Sequence, residues 1–293
     1  MIVAVASGKG GTGKTTVTAS LATIWDGPLV AVDLDVEEPN LHLFLQPAIV
    51  GSETAYMTVP VVNEEKCTYC GVCSDLCQFK AISVMNRLIL TFPEMCHGCG
   101  GCLALCPEKA LSPGQRVLGE VSWGRAGKVD FLTGRLRVGE AMSPPLMRLV
   151  KGRLERQLSA GGGDAVIDAP PGVSCPALNA VLDSDVILLV TEPTPFGFYD
   201  FRLAWEAFAP LGKPIAAVIN RAGLGHDAVY RFCREKGLPI LAEILYDRAI
   251  AEAYARGRII ADISEVFQAI FVSLRDKIRD LAKQNNSREA VHA

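Results

Sequence analysis

The chain has 293 residues, 49% of them hydrophobic, and a formal net charge of −3. That length allows about two domains with a sizeable buried core, and the near-neutral balance excludes the broad basic footprint of a general nucleic-acid binder. No stretch reaches the roughly 20 apolar residues of a spanning helix, and the apolar run in MIVAVASGKGG is too short for a secretory signal, so a cytoplasmic location is expected.

Residues Ile2 to Ala6 form a short apolar run that ends at a glycine-rich turn and is followed by a helical stretch, Lys14 to Ile24. This strand, loop and helix frame G-x4-G-K-[ST] at Gly8 to Thr15, the context in which that motif binds a nucleotide. Backbone amides of such a loop turn inward around the β-phosphate, and the helix N-terminus adds positive potential. Lys14 is expected to reach the β- and γ-phosphates and Thr15 to hold Mg2+. Gly8, Gly10, Gly11, Thr12, Gly13, Lys14, Thr15 and Thr16 are therefore the expected ATP-binding residues. A second apolar run, Leu29 to Val32, ends in Asp33.

From about Pro60 to Ser112 cysteines dominate. Eight of the ten in the chain fall into two runs, CTYCGVCSDLC from Cys67 to Cys77 and CHGCGGCLALCP from Cys96 to Pro107, each with C-x2-C-x2-C-x3-C spacing. The repeat resembles a duplicated half-ferredoxin. Three thiolates at i, i+3 and i+6 wrap one corner of a cubane, and in two-cluster ferredoxins the fourth cysteine of each run serves the other cluster. The expected ligands are Cys67, Cys70, Cys73 and Cys106 for one [4Fe-4S] cluster, and Cys96, Cys99, Cys102 and Cys77 for the second. Zinc is the rival, but a structural zinc site needs four ligands and no regular third cysteine. Pro107 follows Cys106 as in bacterial ferredoxins, whereas Gln78 follows Cys77, a departure that bears on local hydrogen bonding.

Residues 117–138 read as short β-prone pieces separated by glycine-containing turns, a small β-meander returning the chain to the sheet. Apolar runs at Ala165 to Ile167, Val186 to Val190 and Ile215 to Ile219, each followed by loop and helix signals, continue a mostly parallel sheet with crossover helices. The expected fold is α/β, a doubly wound, mostly parallel P-loop NTPase sheet from residues 1–59 and 113–283, with a bacterial-ferredoxin-like α+β domain inserted at 60–112. The stripe Val266, Ile270, Leu274, Ile278 and Leu281 has the spacing of a core-facing terminal helix, and residues 284–293 read as a disordered tail. Cys233 reads as an ordinary packed residue.

The second lysine of KGGTGKTT, Lys9, resembles the early lysine in the deviant Walker A motif of the MinD, ParA and nitrogenase iron-protein superfamily. Further matches follow in order over nearly the whole chain: AVDLDVEEPNLH places Asp33 and Asp35 at the first switch, VIDAPPG places Asp168 and Gly172 at Walker B and the second switch, and VINRA places Asn220 where the family reads adenine. The resemblance implies an ATPase that closes an ATP-sandwich homodimer, or a heterodimer with a paralogue, with Lys9 reaching the partner's phosphates. Independently, an Asp ending a buried parallel strand lies in the crevice where such sheets bind ligands, so Asp33 and Asp168 can reach Mg2+ through its waters. Asp35 is the better candidate to orient the attacking water, which makes Lys9, Lys14 and Asp35 the expected catalytic residues. Cys175, just beyond the second switch, reads as a thiol rather than a ligand, since no second cysteine lies between Pro107 and Pro171.

Three functions fit these motifs. The first is an ATPase that gates electron flow through two clusters to a redox or metallocofactor-assembly partner. The second is a spatial-positioning ATPase with the ferredoxin as redox sensor, and the third is an iron-sulfur carrier, which stable eight-cysteine ligation disfavours.

Overall fold

The computed structural model describes residues 1–292. In chain order it has β1 (Ile2–Ala6), α1 (Lys14–Ile24), β2 (Leu29–Asp33), α2 (Leu41–Leu45), β3 (Ala48–Val62), α3 (Val72–Leu76), β4 (Ile82–Met85), β5 (Leu88–Thr91), α4 (Gly101–Leu105), β6 (Leu111–Ala126) and β7 (Val129–Leu136). There follow α5 (Ser143–Gly161), β8 (Asp164–Asp168), α6 (Cys175–Val181), β9 (Val186–Thr191), α7 (Pro195–Phe208), β10 (Ile215–Ala222), α8 (Ala228–Lys236), β11 (Ile240–Leu245), α9 (Arg248–Ala255) and α10 (Glu265–His292).

One nine-stranded sheet has the order β11-β10-β9-β1-β8-β2-β7-β6-β3. Pairing is parallel from β11 across to β7 and antiparallel from β7 to β6 and β6 to β3. The central strands are continuous apolar runs because helices cover both faces. On one face Val30, Val32 and Ile167 pack with Leu146, Met147, Val150, Ala177, Phe201 and Phe208. On the other, Val3, Val5 and Leu188 pack with Leu21, Trp25, Phe271, Leu274 and Ile278. In β2 and β8 the buried run ends in a carboxylate, Asp33 and Asp168.

The expected boundaries at residues 60 and 112 fall inside β3 and β6, which pair without a break in the chain from Ala48↔Arg125 to Val62↔Leu111. Pairing of β6 with β7 ends at Gly119↔Leu136. Beyond that point β3 and β6 continue alone as a two-stranded ribbon. Most of 117–138, from Gly119 to Leu136, is therefore part of the main sheet; Gly127 makes the β6–β7 turn with φ +57°, while Gly119 and Gly124 lie inside β6. At the ribbon's far end sit α3, α4 and the β4–β5 hairpin, around a small core of Ile82, Ile89 and Leu111 against which Cys67, Cys73, Cys77, Cys102 and Cys106 pack.

In α10, Leu274 and Ile278 are fully buried, Ile270 and Leu281 flank them, and Val266 is exposed. The backbone of residues 284–292 continues this helix, where a disordered tail was expected, because KQNNSREAVH contains no Gly or Pro to stop it; Ala293 lies outside the described residues. Among the described residues no helix is long and apolar enough to cross a membrane. Truncating Leu274 removes methyl groups from a closed site, so Leu274→Ala should cost about 2–5 kcal/mol in urea unfolding, whereas Val266→Ala should stay within about 0.5 kcal/mol; equal costs would mean that α10 does not dock as described.

Candidate functional site

The turn from β1 into α1 carries the phosphate-loop motif at the C-terminal end of β1, the middle of the seven parallel strands. Gly13 has φ +92°, and a Cβ there would lie 2.2 Å from Asn220 Nδ2, so both backbone and space require glycine. Behind the loop, Lys14 and Asp168 are buried together. Lys14 Nζ donates to Asp168 Oδ1 at 2.9 Å, Thr15 Oγ1 to Oδ2 at 2.6 Å, and Thr18 Oγ1 to Oδ1 at 3.2 Å. Burial alone would lower the Lys14 ammonium, but the charge and hydrogen bond of Asp168 outweigh it and hold Lys14 above its ordinary range.

Asp33 and Asp168 are direct partners in the β2–β8 register. Asp33 is wholly buried and accepts the Leu41 amide at 2.9 Å and the Asp35 amide at 3.1 Å. Burial, then the facing Asp168 charge, pushes its carboxyl well above the usual range despite these bonds. Asp35 is pushed up to about 6, first by burial, with Lys14 opposing and Asp168 adding to the rise. Two in-register carboxylates and the Thr15 hydroxyl are a hard-oxygen donor set that suits Mg2+, and a cation would relieve the repulsion between the acids. Thr12 Oγ1 is buried with no hydrogen-bond partner. Phosphates entering the loop would take over Lys14 and Thr15 from Asp168.

A cleft of about 390 Å3 opens over the loop, walled by Lys9, Gly10, Gly11, Gly13, Lys14, Thr15, Thr16, Asp35 and Asn220. Gly8, Thr12, Asp33, Asp168 and Gly172 are not on that wall. Gly8 packs against the Asp200 carbonyl of α7, and the Gly172 amide donates to the Ser7 carbonyl at 2.9 Å, tying the second switch to the loop. Asn220 Nδ2 donates to the Thr12 carbonyl at 2.8 Å, so its carboxamide braces the phosphate loop. Leu245, Tyr246, Ile250 and Tyr254 add an apolar wall that the sequence reading missed.

Two further charged residues were also missed. Lys9 Nζ pairs with Glu192 Oε1 at 2.6 Å, and Arg221 Nη1 with Glu192 Oε2 at 2.7 Å. Burial would raise Glu192, but the Lys9 hydrogen bond and charge, together with Arg221, hold it below the ordinary range. Within a single chain Lys9 is thus clasped in cis. The signal for Glu192 was present: it follows the buried run VILLVT at a strand's C-terminal end, as Asp33 and Asp168 follow theirs.

The cysteine runs line two cavities at the end of the ribbon. One is walled by Cys67, Cys70, Cys73 and Cys106. The other is walled by Cys77, Cys96, Cys99 and Cys102, with Cys73 on the boundary and Thr58 and Pro60 of β3 contributing. Among the described residues no three His, Cys, Asp or Glu side chains converge as ligands on a single ion. The Ala81 amide donates to Cys77 Sγ and the Ala110 amide to Cys106 Sγ, both at 3.3 Å, so Gln78 in place of a proline leaves this bond unchanged. Cys175 is exposed at the start of α6, and Cys233 is buried in the α7–α8 core, its thiol pushed up to about 11 by burial.

The sheet order, the loop at the end of β1 and the flanking acids define a P-loop nucleotide-binding protein. Residues 3–260 match the CobQ/CobB/MinD/ParA nucleotide binding domain; the chain belongs to this family and is a P-loop ATPase. It is 32% identical over 285 residues to an uncharacterized protein of Methanocaldococcus jannaschii, covering 95% of this chain and 98% of that one. A second uncharacterized protein of the same organism is 29% identical over 266 residues, covering 88% and 90%. Among solved structures, the cell division ATPase MinD of Pyrococcus furiosus aligns with a TM-score of 0.59 at 22% identity, covering 96% of this chain and 98% of that one. The septum site-determining protein MinD of Pyrococcus horikoshii, complexed with Mg-ADP, aligns with a TM-score of 0.60 at 21% identity, covering 96% of each. These structures share the fold.

Lys14→Ala removes the cation that phosphates would take from Asp168. A lost charge-assisted hydrogen bond is worth about 1.5–3 kcal/mol, so ATP affinity measured by titration calorimetry should fall at least about tenfold. Unchanged affinity in a folded variant would remove the loop from nucleotide binding.

Proposed function

We propose that this ATPase couples nucleotide-driven dimer switching to electron transfer through two [4Fe-4S] clusters, delivering electrons to a redox or metallocofactor-assembly partner. The observation that carries this reading is the pair of cysteine cavities. The first three cysteines of each run share a cavity with the fourth cysteine of the other run, the crossed set that two cubanes require. Thiolates ringing a cubane stand further apart than the ligands of one ion, which is consistent with the lack of a single-ion site among the described residues. When bound, the clusters supply one-electron transfer; the chain supplies thiolates, amide hydrogen bonds to them and an apolar surround.

ATP with Mg2+ fits the other site, with Lys14 and the loop amides on phosphate, Thr15, Asp33 and Asp168 toward the cation, and Asp35 toward water. In a dimer, Lys9 would leave Glu192 for the partner's phosphates. Relatives that occur as a pair in one organism support a paralogue as an alternative second subunit. The likeness to MinD structures favours a second reading, a positioning ATPase whose ferredoxin senses redox state.

Two measurements test the proposal. Anaerobically purified protein should contain about eight iron and eight acid-labile sulfide per chain, as two cubanes demand; about one zinc and no sulfide would overturn the cluster assignment. Lys9→Ala should leave ATP binding near normal while hydrolysis and ATP-dependent dimerisation fall, because the lost interaction is made only across the closed interface. Undiminished hydrolysis by Lys9→Ala would count against the sandwich. Reduction potentials are then titrated with ATP and with ADP. A shift of about 30 mV, roughly 0.7 kcal/mol for one electron, supports coupling between nucleotide and clusters, and identical potentials leave the ferredoxin passive and overturn that coupling.

A further inference from the structure

We infer that Glu37, Ser143 and the buried Arg116–Glu140 pair form a mechanical link through which the phosphate-sensing loop sets the position of the second cysteine run. The inference rests on the proposed function only for what that run carries; the link itself is read from contacts. Asp35 lies in the loop between β2 and α2, and two residues later the Glu37 carboxylate accepts a hydrogen bond from Ser143 Oγ at the buried start of α5. The Val36 carbonyl accepts the Leu136 amide at 2.9 Å. The switch loop is therefore fastened to both ends of the β7–α5 connection.

That connection contains Glu140, which accepts the Ala141 amide at 3.1 Å and the Met142 amide at 3.0 Å and pairs with Arg116 of β6. Both side chains are buried, 7% and 2% exposed. Arg116 stands just where the ribbon leaves the sheet. The last β6–β7 pair is Gly119↔Leu136, the ribbon register shifts between Ala55 and Tyr56, and the Arg137 amide donates to the Leu118 carbonyl at 2.9 Å. Opposite Arg116 in the register is Met57. On Met57 rests Gly98, between Cys96 and Cys99, with φ +66°; a Cβ there would lie 2.7 Å from Met57 Cγ.

Four contacts thus connect the loop that carries Asp35 to the backbone of CHGC: Glu37 with Ser143, Glu140 with Arg116, Arg116 with Met57, and Met57 with Gly98. A buried ion pair is costly to break and gains little from gradual stretching, so it favours discrete arrangements over continuous slippage. Arg116 holds Glu140 through both of its terminal nitrogens, while its Nε is buried without a hydrogen-bond partner. When γ-phosphate draws in the switch loop, Glu37 shifts Ser143 and the Glu140 turn, and Arg116 carries that motion into the ribbon beneath Cys96 to Cys102.

The test is hydrogen–deuterium exchange on the full-length, anaerobically purified protein with ADP or a non-hydrolysable ATP analogue. In wild type the analogue should alter exchange at residues 96–102 and at the Arg116 segment. Ser143→Ala should abolish the analogue-dependent difference at 96–102 while leaving nucleotide affinity and nucleotide-free exchange unchanged, and Glu37→Gln, which keeps an acceptor oxygen, should preserve it. Arg116→Met combined with Glu140→Leu, an apolar replacement of the whole pair, should also abolish it, and carries the test if Ser143→Ala does not fold. A full difference in either of these two variants, or none in wild type, overturns the link. Iron and sulfide are assayed in the same samples: a normal response without iron or sulfide removes the cluster reading and leaves the link, whereas full iron with a response indifferent to both variants removes the link alone.

Discussion

A buried carboxylate, Asp168, organises the nucleotide site, because taking its charge out of water is tolerable only with partners in place. Lys14 supplies the counter-charge, and Thr15 and Thr18 supply hydroxyl donors. Asp33, one strand away and in register, makes the demand steeper by adding a second acid. Such a cluster contributes little net stability compared with an apolar replacement, yet removing one member would be expensive. It therefore fixes geometry: the phosphate loop cannot drift from the ends of β2 and β8 without stranding a charge. The arrangement is also provisional. Phosphate and a divalent cation would offer Lys14, Thr15 and the two acids partners in place of one another, and the loops attached to them would then be free to move.

Those loops connect to the other end of the molecule because of how the sheet terminates. Parallel strands buried on both faces cannot extend past their helices, but an antiparallel pair bonds within itself and can project as a ribbon. β3 and β6 do so. Alternate residues Ala55, Met57 and Val59 stay in the main core, while the same strands run on to form one side of the cysteine-rich unit at Val61↔Ser112 and Val62↔Leu111. A paired ribbon transmits displacement far better than a flexible linker, since each strand's bonds hold the other in register.

The parts of this plan legible in the sequence were those governed by short-range rules. Five buried strands, the loop motif, both strand-end acids and the repeated cysteine spacing each follow from local periodicity or motif chemistry. The ribbon did not, because Pro60 and Pro113 stand opposite each other within it and proline in a run argues against a strand; the expected boundaries were drawn at those residues. Glycines inside β6 likewise read as turns, although Gly119 and Gly124 lie where neighbouring carbonyls approach too closely for a Cβ. Glu192 and Arg221 escaped because their partner Lys9 is far away in sequence, and only the fold shows that the three converge. The bracing role of Asn220 was hidden for the same reason.

The two cysteine cavities are alike in sequence and unlike in setting, and that asymmetry gives the repeat a direction. Matching amide bonds to Cys77 and Cys106 make the fourth-cysteine environments similar, so a difference between the clusters would have to come from their surroundings. The cavity of Cys96, Cys99 and Cys102 is walled partly by Thr58 and Pro60 of the ribbon, and Cys96 packs against the main core. The cavity of Cys67, Cys70 and Cys106 has no residue of β3 in its wall. The ribbon thus reaches the first cavity only through Leu111 at the start of β6, and the second through Thr58 and Pro60 of β3. In the proposed electron path, the cavity of Cys96, Cys99 and Cys102 is the one that adjoins the core of the ATPase sheet, through Cys96 and the β3 residues Thr58 and Pro60.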